Sequence, residues 1–353
     1  MTNESSTERF LQQLITMGSP SGDLAAQAEV QRTVVRWLQA EDPTLVVSSA
    51  NADQYPWTLV RTVGCGENPI VFACHTDTVP TGRHDLWTRS PLSGDIDEET
   101  IHGRGSADMK AGIAAAAQAL LYASANGRAA ALLLTADEEV GARGAADAAA
   151  ALEGMKPGAI VIPEATGNRI VVSHPGAFWI RVTARGIAAH GSAPERGVNA
   201  AQKLFGPISE AHEGLPLRSG ETWSLGTFQA GTATNIVPDV AVATIDHRLW
   251  GIAHDVLNWW KTRPSIDEVD VITHLSALNS SVPDKIRERF SSQISATPVR
   301  YFTDGSVFTG AFPSTPILIW GPGAPEQMHA VDEHITRQSL RDAVRDFCSL
   351  VDL

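Results

Sequence analysis

Cysteine and positive charge are both scarce in this sequence. The three cysteines, Cys65, Cys74 and Cys348, are odd in number and lie far apart along the chain. This pattern argues against a disulfide framework and a close-spaced thiolate metal site, and it favours a reducing, cytoplasmic setting. Lys and Arg total 27 against 40 Asp and Glu, giving a net charge of -13. The excess of negative charge argues against a nucleic-acid partner and against binding to an anionic membrane.

Targeting segments and the motifs of several enzyme classes are also missing. Residues 1–9 are polar and lack the apolar core of a signal peptide. The most apolar helical segment, residues 111–121, is too short to cross a bilayer. The sequence has no Gly-x-Ser-x-Gly elbow, phosphate-binding loop or Gly-x-Gly-x-x-Gly fingerprint, which disfavours a serine hydrolase and the two nucleotide-binding folds.

The sequence does contain a regular alternation of strands and helices. Apolar runs at 70–74, 129–135 and 159–162 predict buried strands, and the segments near 111–121 and 145–152 predict helices between them. Because strands that alternate with helices form a mostly parallel sheet, we expect a doubly wound α/β catalytic domain.

The pattern changes in the middle of the chain. Residues 174–280 follow the order β-α-β-β-α-β, which predicts a ferredoxin-like α+β unit. One face or edge of such a sheet is free to pair with a second copy, so we expect a homodimer. The α/β pattern then returns, with strands expected at 299–302 and 316–320. We therefore expect a catalytic domain in two parts, 1–173 and 281–353, with an inserted lid or dimerisation domain at 174–280.

Imidazole and carboxylate side chains follow the predicted strand ends. Because the carboxyl ends of parallel strands meet at one edge of a sheet, these side chains should converge. Clustered carboxylates repel one another without a cation, and mixed imidazole and carboxylate ligands suit zinc or a similar divalent ion. Adjacent Glu side chains diverge, so one can bind metal while the other acts as a general base. The residues concerned are His75, Asp77, Asp108, Glu138, Glu139, Glu164 and His329.

Five motifs occur in order along the chain: HTDTVP (75–80), GRGSADMKAG (103–112), DEEVG (137–141), PEATG (163–167) and MHAVDE (328–333). Together they resemble the M20 metallohydrolases, a family that includes acetylornithine deacetylase, succinyl-diaminopimelate desuccinylase, aminoacylase and glutamate carboxypeptidase. The Gly-Pro-Gly turn ahead of the last motif is most similar to the acetylornithine deacetylase branch.

The resemblance implies a site for two divalent metal ions, with zinc expected and cobalt or manganese as alternatives. One ion would be held by His75, Asp108 and Glu164. The other would be held by Asp108, Glu139 and His329, so that Asp108 bridges the pair. A water molecule activated by the metals would be the nucleophile.

The same resemblance implies roles for further residues. Glu138 would be the general base, and Asp77 would orient the imidazole two residues before it. His190 lies in a lid-type motif and would reach the active site of the partner subunit, where it would polarise the scissile carbonyl. Asn235 and Arg248 are candidates for holding a substrate carboxylate, because a guanidinium matches that group. A turn asparagine and a surface arginine are the alternative interpretations of these two residues.

The function expected from these features is removal of the acyl group from an N-acyl amino acid. The first alternative is a metallo-dipeptidase or carboxypeptidase of the same family, acting on short peptides. A more remote alternative is a metal-free dimeric binding protein on this scaffold. Such a protein would be expected to have lost a ligand or the base, and this sequence retains all of them.

Overall fold

The described part of the chain divides into two compact units. The computed structural model describes residues 5–50, 54–66 and 68–353. The first unit contains the ends of the chain, and the second is built largely from its middle. The first unit spans 1–173, 279–299 and 303–353, and the second spans 174–278 and 300–302.

Helices begin where the sequence supplies capping residues. Ser5 precedes the first helix; its side chain accepts a hydrogen bond from the Glu8 backbone N–H, and Glu8 accepts one from the Ser5 N–H. In the residues that the structure describes, none of the helices has both the length and the apolar character needed to cross a membrane. The helices are α1 (Ser6–Thr16), α2 (Leu24–Glu41), α3 (Ala111–Ala125), α4 (Ala145–Ala150), α5 (Ala200–Gly214), α6 (His254–Lys261), α7 (Asp284–Phe290), α8 (Gly305–Ala311) and α9 (Arg337–Val351).

Strands in the first unit are mostly short and apolar, whereas the longest strands belong to the second unit. The strands are β1 (Val46–Ser49), β2 (Thr58–Arg61), β3 (Ile70–His75), β4 (Thr100–His102), β5 (Ala130–Thr135), β6 (Ala159–Ala165), β7 (Ser173–His174), β8 (Gly176–Arg185), β9 (Thr222–Ala230), β10 (Val240–Leu249), β11 (Glu268–His274), β12 (Leu278–Asn279), β13 (Ile317–Gly321) and β14 (His334–Thr336).

The main sheet of the first unit has six strands in the order β1-β2-β5-β3-β6-β13. Its β5–β3, β3–β6 and β6–β13 pairings are parallel, and β1 and β2 add an antiparallel edge. The parallel strands are buried almost throughout, as expected for a sheet with helices on both faces. The predicted doubly wound, mostly parallel sheet is therefore confirmed.

The second unit is built on a four-stranded antiparallel sheet in the order β11-β8-β10-β9. Residues along β10 alternate between buried and partly exposed, so one face of the sheet is covered. The buried residues pack with α5 and α6 around Trp260, which is fully buried. This antiparallel α+β unit, separate from the parallel sheet, confirms that part of the predicted fold class.

One predicted strand is wrong. Residues 299–302 form no strand in the described structure, although three of the four are apolar or aromatic. The Phe302 ring instead packs edge-on against Trp179 of the second unit, with ring centroids 5.8 Å apart. Its apolar character thus reflects an aromatic contact rather than pairing in a sheet. The short helix α8, which follows, was not predicted.

A close contact between α3 and β6 fixes the edge of the sheet that bears the site. Gly112 in α3 faces Pro163, so that a Cβ atom at position 112 would lie 2.2 Å from the Pro163 carbonyl oxygen. Only glycine permits this approach of helix to strand. Pro163 directly precedes Glu164, and Gly112 follows Asp108 by four residues. The contact therefore brings the segments that carry these two acidic residues close together.

Candidate metal centre

The first group of candidate ligands lies at the carboxyl edge of the parallel sheet. His75 ends β3, Glu164 lies near the end of β6, and Asp108 lies in the turn before α3. The His75 Nε2 atom is 3.1 Å from Asp108 Oδ1 and 3.3 Å from Glu164 Oε1. At most 4% of each side chain is exposed. Three separate parts of the chain thus bring one imidazole and two carboxylates into a small, buried volume.

The second group shares Asp108 with the first. The other oxygen of this carboxylate, Oδ2, is 3.3 Å from His329 Nε2, which is also 2.9 Å from Glu139 Oε2. His329 is half exposed and has a positive φ of 62°. Within each group, one ligand atom from every residue lies within 4.8 Å of the others. Asp108 therefore presents one oxygen to each imidazole, as a carboxylate that bridges two cations does.

The titration behaviour of these groups reflects an excess of buried negative charge. Burial raises the pKa of Glu164 to about 8, and the charge of Asp108 adds to the effect. Burial and the same Asp108 charge also raise the pKa of Glu139. Hydrogen bonds to Asp108 and Glu139 raise the pKa of His329 to about 10. Burial alone would lower the pKa of His75, but the charge of Glu164 and the hydrogen bonds to its acidic neighbours raise it well above its ordinary value.

These residues fit a pair of divalent ions. Glu164 Oε2 is buried and, among the described residues, has no hydrogen-bond partner, so it is available to a ligand. Imidazole nitrogen and carboxylate oxygen are the donors that zinc and similar divalent ions bind. A cluster of buried carboxylates without compensating positive charge is expected to bind protons. The raised pKa values of its acidic side chains and of His329 agree with that expectation.

Glu138 is buried beside this cluster and differs from its neighbour Glu139. The residue is 5% exposed, and within the described part of the chain its Oε1 atom has no hydrogen-bond partner. Burial raises its pKa well above the ordinary value, and the charges of Glu164 and Asp304 add to this rise. Glu139 contacts His329, whereas Glu138 keeps an unpaired carboxylate oxygen. The two adjacent side chains are therefore in different chemical environments.

Asp77 links the first imidazole to the loop that carries both glutamates. Its Oδ1 and Oδ2 atoms accept hydrogen bonds from the backbone N–H groups of Glu138 and Glu139, at 3.0 and 3.2 Å. His75 Nδ1 is 3.0 Å from the Asp77 carbonyl oxygen and 3.5 Å from its Oδ1. Because a carbonyl oxygen only accepts, the neutral imidazole carries its proton on Nδ1 and turns Nε2 towards the other ligands.

Glu333 supports the turn that carries Asp108, a role that sequence reasoning did not assign. It is fully buried and accepts hydrogen bonds from the backbone N–H groups of Gly105, Ala107 and Asp108. Arg104 Nη1 also pairs with it at 2.7 Å. Its place in the last motif was visible in the sequence, but nothing local indicated that it contacts a turn more than 200 residues away.

Two further buried acids were also missed. Asp137 adopts a positive φ of 54°, and its Oδ1 accepts hydrogen bonds from the Gly22 N–H and from Gln27 Nε2, each at 2.7 Å. Asp304 accepts a 2.6 Å hydrogen bond from the Thr135 hydroxyl, at the end of β5, and burial raises its pKa to about 6. Asp137 could have been found from the sequence because it is the first residue of the DEEVG motif. The only sequence signal for Asp304 was its position after residues 299–302, which were predicted as a strand.

His190 and Asn235 lie together in the second unit. His190 is exposed, and its Nδ1 atom is 2.7 Å from Ser192 Oγ. The Gly191 N–H donates to the Asn235 carbonyl oxygen at 2.7 Å, which joins the two segments. The structure therefore makes neighbours of two residues that are separated by a helix and a strand in the sequence.

Arg248 lies elsewhere in the second unit, on β10. Its Nε and Nη2 atoms donate to Asp246 Oδ2 at 3.1 and 2.9 Å. Its Cζ atom is 5.0 Å from the centroid of the Phe302 ring. The side chain is 24% exposed, so it is not the freely solvated surface arginine of the alternative interpretation.

Known proteins resemble this chain over most of its length. The sequence model of peptidase family M20/M25/M40 matches residues 71–352. Acetylornithine deacetylase of Proteus mirabilis (strain HI4320) is 26% identical in an alignment 351 positions long, gaps included, that covers 89% of each protein. An M20 family metallo-carboxypeptidase from Sulfolobus solfataricus has a TM-score of 0.80 at 14% identity, with 99% of both chains covered. A dinuclear metal-binding peptidase of the M20 family from Bacillus subtilis has a TM-score of 0.66 at 14% identity, covering 98% of this chain and 96% of the other.

Proposed function

This chain belongs to the peptidase family M20/M25/M40, and we propose that within it the chain is a two-metal deacylase of N-acyl amino acids. Membership confirms the family resemblance of the five motifs and makes the chain a metal-dependent hydrolase of amide bonds. The observation that carries the proposal is the pair of ligand groups that share Asp108, with the unpaired Glu138 carboxylate next to Glu139.

Two groups of three residues would hold the ions. His75, Asp108 and Glu164 would bind the first, and Asp108, Glu139 and His329 would bind the second. When bound, such ions act as Lewis acids towards an amide carbonyl and lower the pKa of water. We propose zinc as the metal, with cobalt or manganese as substitutes that accept the same donors.

Glu138 would act as the general base. It would accept a proton from the attacking water and then deliver that proton to the departing amine. Burial raises its pKa, which makes the carboxylate a stronger proton acceptor than an exposed one. Asp77 would position this base by accepting the hydrogen bond from its backbone N–H.

Two observations favour an N-acyl amino acid as the substrate. The relative from Proteus mirabilis is an acetylornithine deacetylase. Arg248 is half-buried and already oriented by Asp246, so its guanidinium could bind a substrate carboxylate with little loss of side-chain freedom. We propose that Arg248 is this anchor and that Asn235 contributes a further polar contact to the substrate.

Peptide hydrolysis is the second candidate function. The Sulfolobus solfataricus protein that shares this fold is a metallo-carboxypeptidase. A peptide with a free carboxyl terminus would present the same carboxylate to Arg248, so the anchor alone does not separate the two substrate classes. The metal-free binding protein is not favoured, because all five ligands and the base are present.

We also propose that the protein acts as a homodimer in which His190 completes the site of the partner subunit. The support is that His190 is exposed and that β9, at the edge of its sheet, is exposed along most of its length. An exposed edge strand is a surface on which a second copy can pair. In that position the imidazole of His190 would donate a hydrogen bond to the carbonyl of the scissile amide.

A substrate panel tests the proposal. Zinc-loaded and cobalt-loaded protein would be assayed against N-acetyl amino acids, N-succinyl amino acids and unblocked dipeptides, with kcat/KM measured for each. We expect the highest kcat/KM for an N-acyl amino acid and no turnover by protein stripped of metal. Glu138→Gln protein, purified in parallel, controls for a contaminating hydrolase.

Two results would redirect the proposal. If unblocked dipeptides exceed every N-acyl amino acid in kcat/KM, the peptidase alternative replaces the deacylase. If protein with two bound ions hydrolyses none of the panel, the deacylase proposal is wrong. Elemental analysis of each preparation would establish the metal content on which both comparisons depend.

A further inference from the structure

Two histidines face each other across the strand pair β4–β14, and they belong to neither ligand group of the candidate metal centre. His102 on β4 lies directly opposite His334 on β14. Their ring centroids are 5.6 Å apart, and the ring planes are inclined at 39°. The adjacent cross-strand pair, Ile101 and Ile335, is buried. Because successive side chains of a strand point to opposite faces, the two imidazoles share the other, partly exposed face.

Hydrogen bonds determine which nitrogen of His102 carries the proton. Its Nε2 atom is 2.9 Å from Asp97 Oδ2 and 2.6 Å from Thr100 Oγ1. The Thr100 hydroxyl donates its own proton to Asp97 Oδ1 at 2.8 Å. The carboxylate and the hydroxyl oxygen can therefore only accept from His102. Its Nε2 atom carries the proton, and the neutral ring keeps a lone pair on Nδ1.

The proton of His334 is fixed in the same way, but on the other nitrogen. Its Nδ1 atom is 2.9 Å from the Asp332 carbonyl oxygen, which only accepts, so Nε2 keeps the lone pair. Within the part of the chain that the structure describes, neither His102 Nδ1 nor His334 Nε2 makes a hydrogen bond. Histidines that bind metal donate their other N–H to a carboxylate or a backbone carbonyl. Both members of the pair have such a partner.

We infer that His102 and His334 form a further metal site, for one zinc ion, separate from the two groups that share Asp108. Imidazole nitrogen suits zinc, nickel and copper, whereas magnesium and calcium take oxygen ligands. Two nitrogens on one tetrahedral zinc ion lie about 3.3 Å apart, given Zn–N bonds of about 2.0–2.1 Å. Rings with centroids 5.6 Å apart are close enough to bring two nitrogens to that separation.

Water would supply the remaining ligands of this ion. Among the described residues, no third His, Cys, Asp or Glu side chain completes the pair. The His102 side chain is 19% exposed, so a hydrated ion can reach it. With two protein ligands, the site should bind zinc more weakly than either group of three residues.

The ion would connect two segments that adjoin the turn carrying Asp108. His334 directly follows Glu333, whose carboxylate accepts a hydrogen bond from the Asp108 backbone N–H. His102 directly precedes Gly103, whose N–H donates to the Glu333 carbonyl oxygen at 2.8 Å. Zinc at the pair therefore ties β4 to β14 beside the catalytic turn. This role is structural and does not depend on the substrate class proposed above.

Equilibrium dialysis of metal-free protein against buffered zinc tests the site. His102→Phe and His334→Phe each keep an aromatic ring in the cross-strand pair but remove its nitrogen ligand. At saturation, we expect wild-type protein to bind one zinc ion more than either variant. His84→Phe removes an exposed histidine outside the pair and is the matched control, which should bind as much zinc as wild type. The same dialysis against magnesium should show no difference among the four proteins.

Chemical labelling of wild-type protein covers the case in which a variant does not fold. Diethylpyrocarbonate acylates imidazole nitrogens that have a free lone pair, and mass spectrometry locates the modified residues. At a free zinc concentration about ten times the dissociation constant of the site, labelling of His102 and His334 should fall about tenfold. Labelling of the exposed His84 should remain unchanged.

The readout is a difference of one ion between proteins, so it does not depend on how many ions the groups around Asp108 hold. Equal zinc binding by wild type and a folded variant, for either of the two histidines, would overturn the inference. So would labelling of His102 and His334 that zinc does not reduce. A difference of one ion in both variants, together with protection of both residues, supports the site even in a protein that hydrolyses no substrate of the panel.

Discussion

Metal binding by this protein should release protons, because two of the candidate ligands are protonated at neutral pH without metal. Glu164, with a pKa of about 8, is mostly protonated at pH 7, and so is His329, with a pKa of about 10. Both must lose their protons to bind a metal ion. Loading the two sites at pH 7 should therefore release about two protons from these residues, and the raised pKa of His75 adds to that number.

The sign of the pH dependence follows from the same pKa values. Below pH 8 the metal competes with protons on Glu164 and His329, so the apparent affinity should fall as the pH is lowered. Each proton released corresponds to about a tenfold loss of affinity per pH unit. At a pH above about 8, the Glu164 contribution should disappear while that of His329 persists.

Calorimetric titration of metal-free protein with zinc measures this directly. The observed enthalpy would be recorded at pH 7 in several buffers that differ in ionisation enthalpy, and its slope against that enthalpy gives the number of protons released. Glu164→Gln should reduce the number by about one, because its amide has no proton to lose in this range. Glu29→Gln, which changes an exposed acid, is the control. Tight binding of two ions with a slope near zero would refute the reasoning.

Three further predictions concern catalysis, assembly and stability. Glu138→Gln should keep both metals and lose kcat by about 10²–10⁴-fold, as for a positioned general base, and near-normal turnover would remove it from that role. Mixing inactive His190→Ala and inactive Glu138→Gln chains should restore part of the activity through mixed dimers; no recovery despite proven subunit exchange would count against the shared site. Glu8→Gln should lower the free energy of unfolding by about 3–5 kcal/mol in denaturant titrations, because Glu8 and Arg337 form a buried pair at 2.9 Å. Glu29→Gln, at an exposed pair, should change it little.

The fold class and the candidate ligands could be predicted because both depend on local sequence. Buried parallel strands appear as apolar runs, and their ends are marked by the first polar residues, such as His75 after β3. The adjacent pair Glu138 and Glu139 indicated two roles because neighbouring side chains diverge. In the structure Glu139 contacts His329, whereas Glu138 keeps an unpaired oxygen. The prediction of a strand at 299–302 was wrong because it also relied on local composition. Apolar composition indicates that a segment is buried, but it does not show whether the segment pairs in a sheet or packs through its side chains.

What the sequence determined by itself was the order of most elements, the family and the residue types available for metal binding. Only the tertiary structure decided that Asp108 faces two imidazoles with different oxygens, that Glu333 holds the turn before it, and that His102 lies opposite His334. These relations join residues that are far apart in the chain, so no local periodicity encodes them. They arise when the pairing of strands and the packing of helices fix the register in which distant side chains meet.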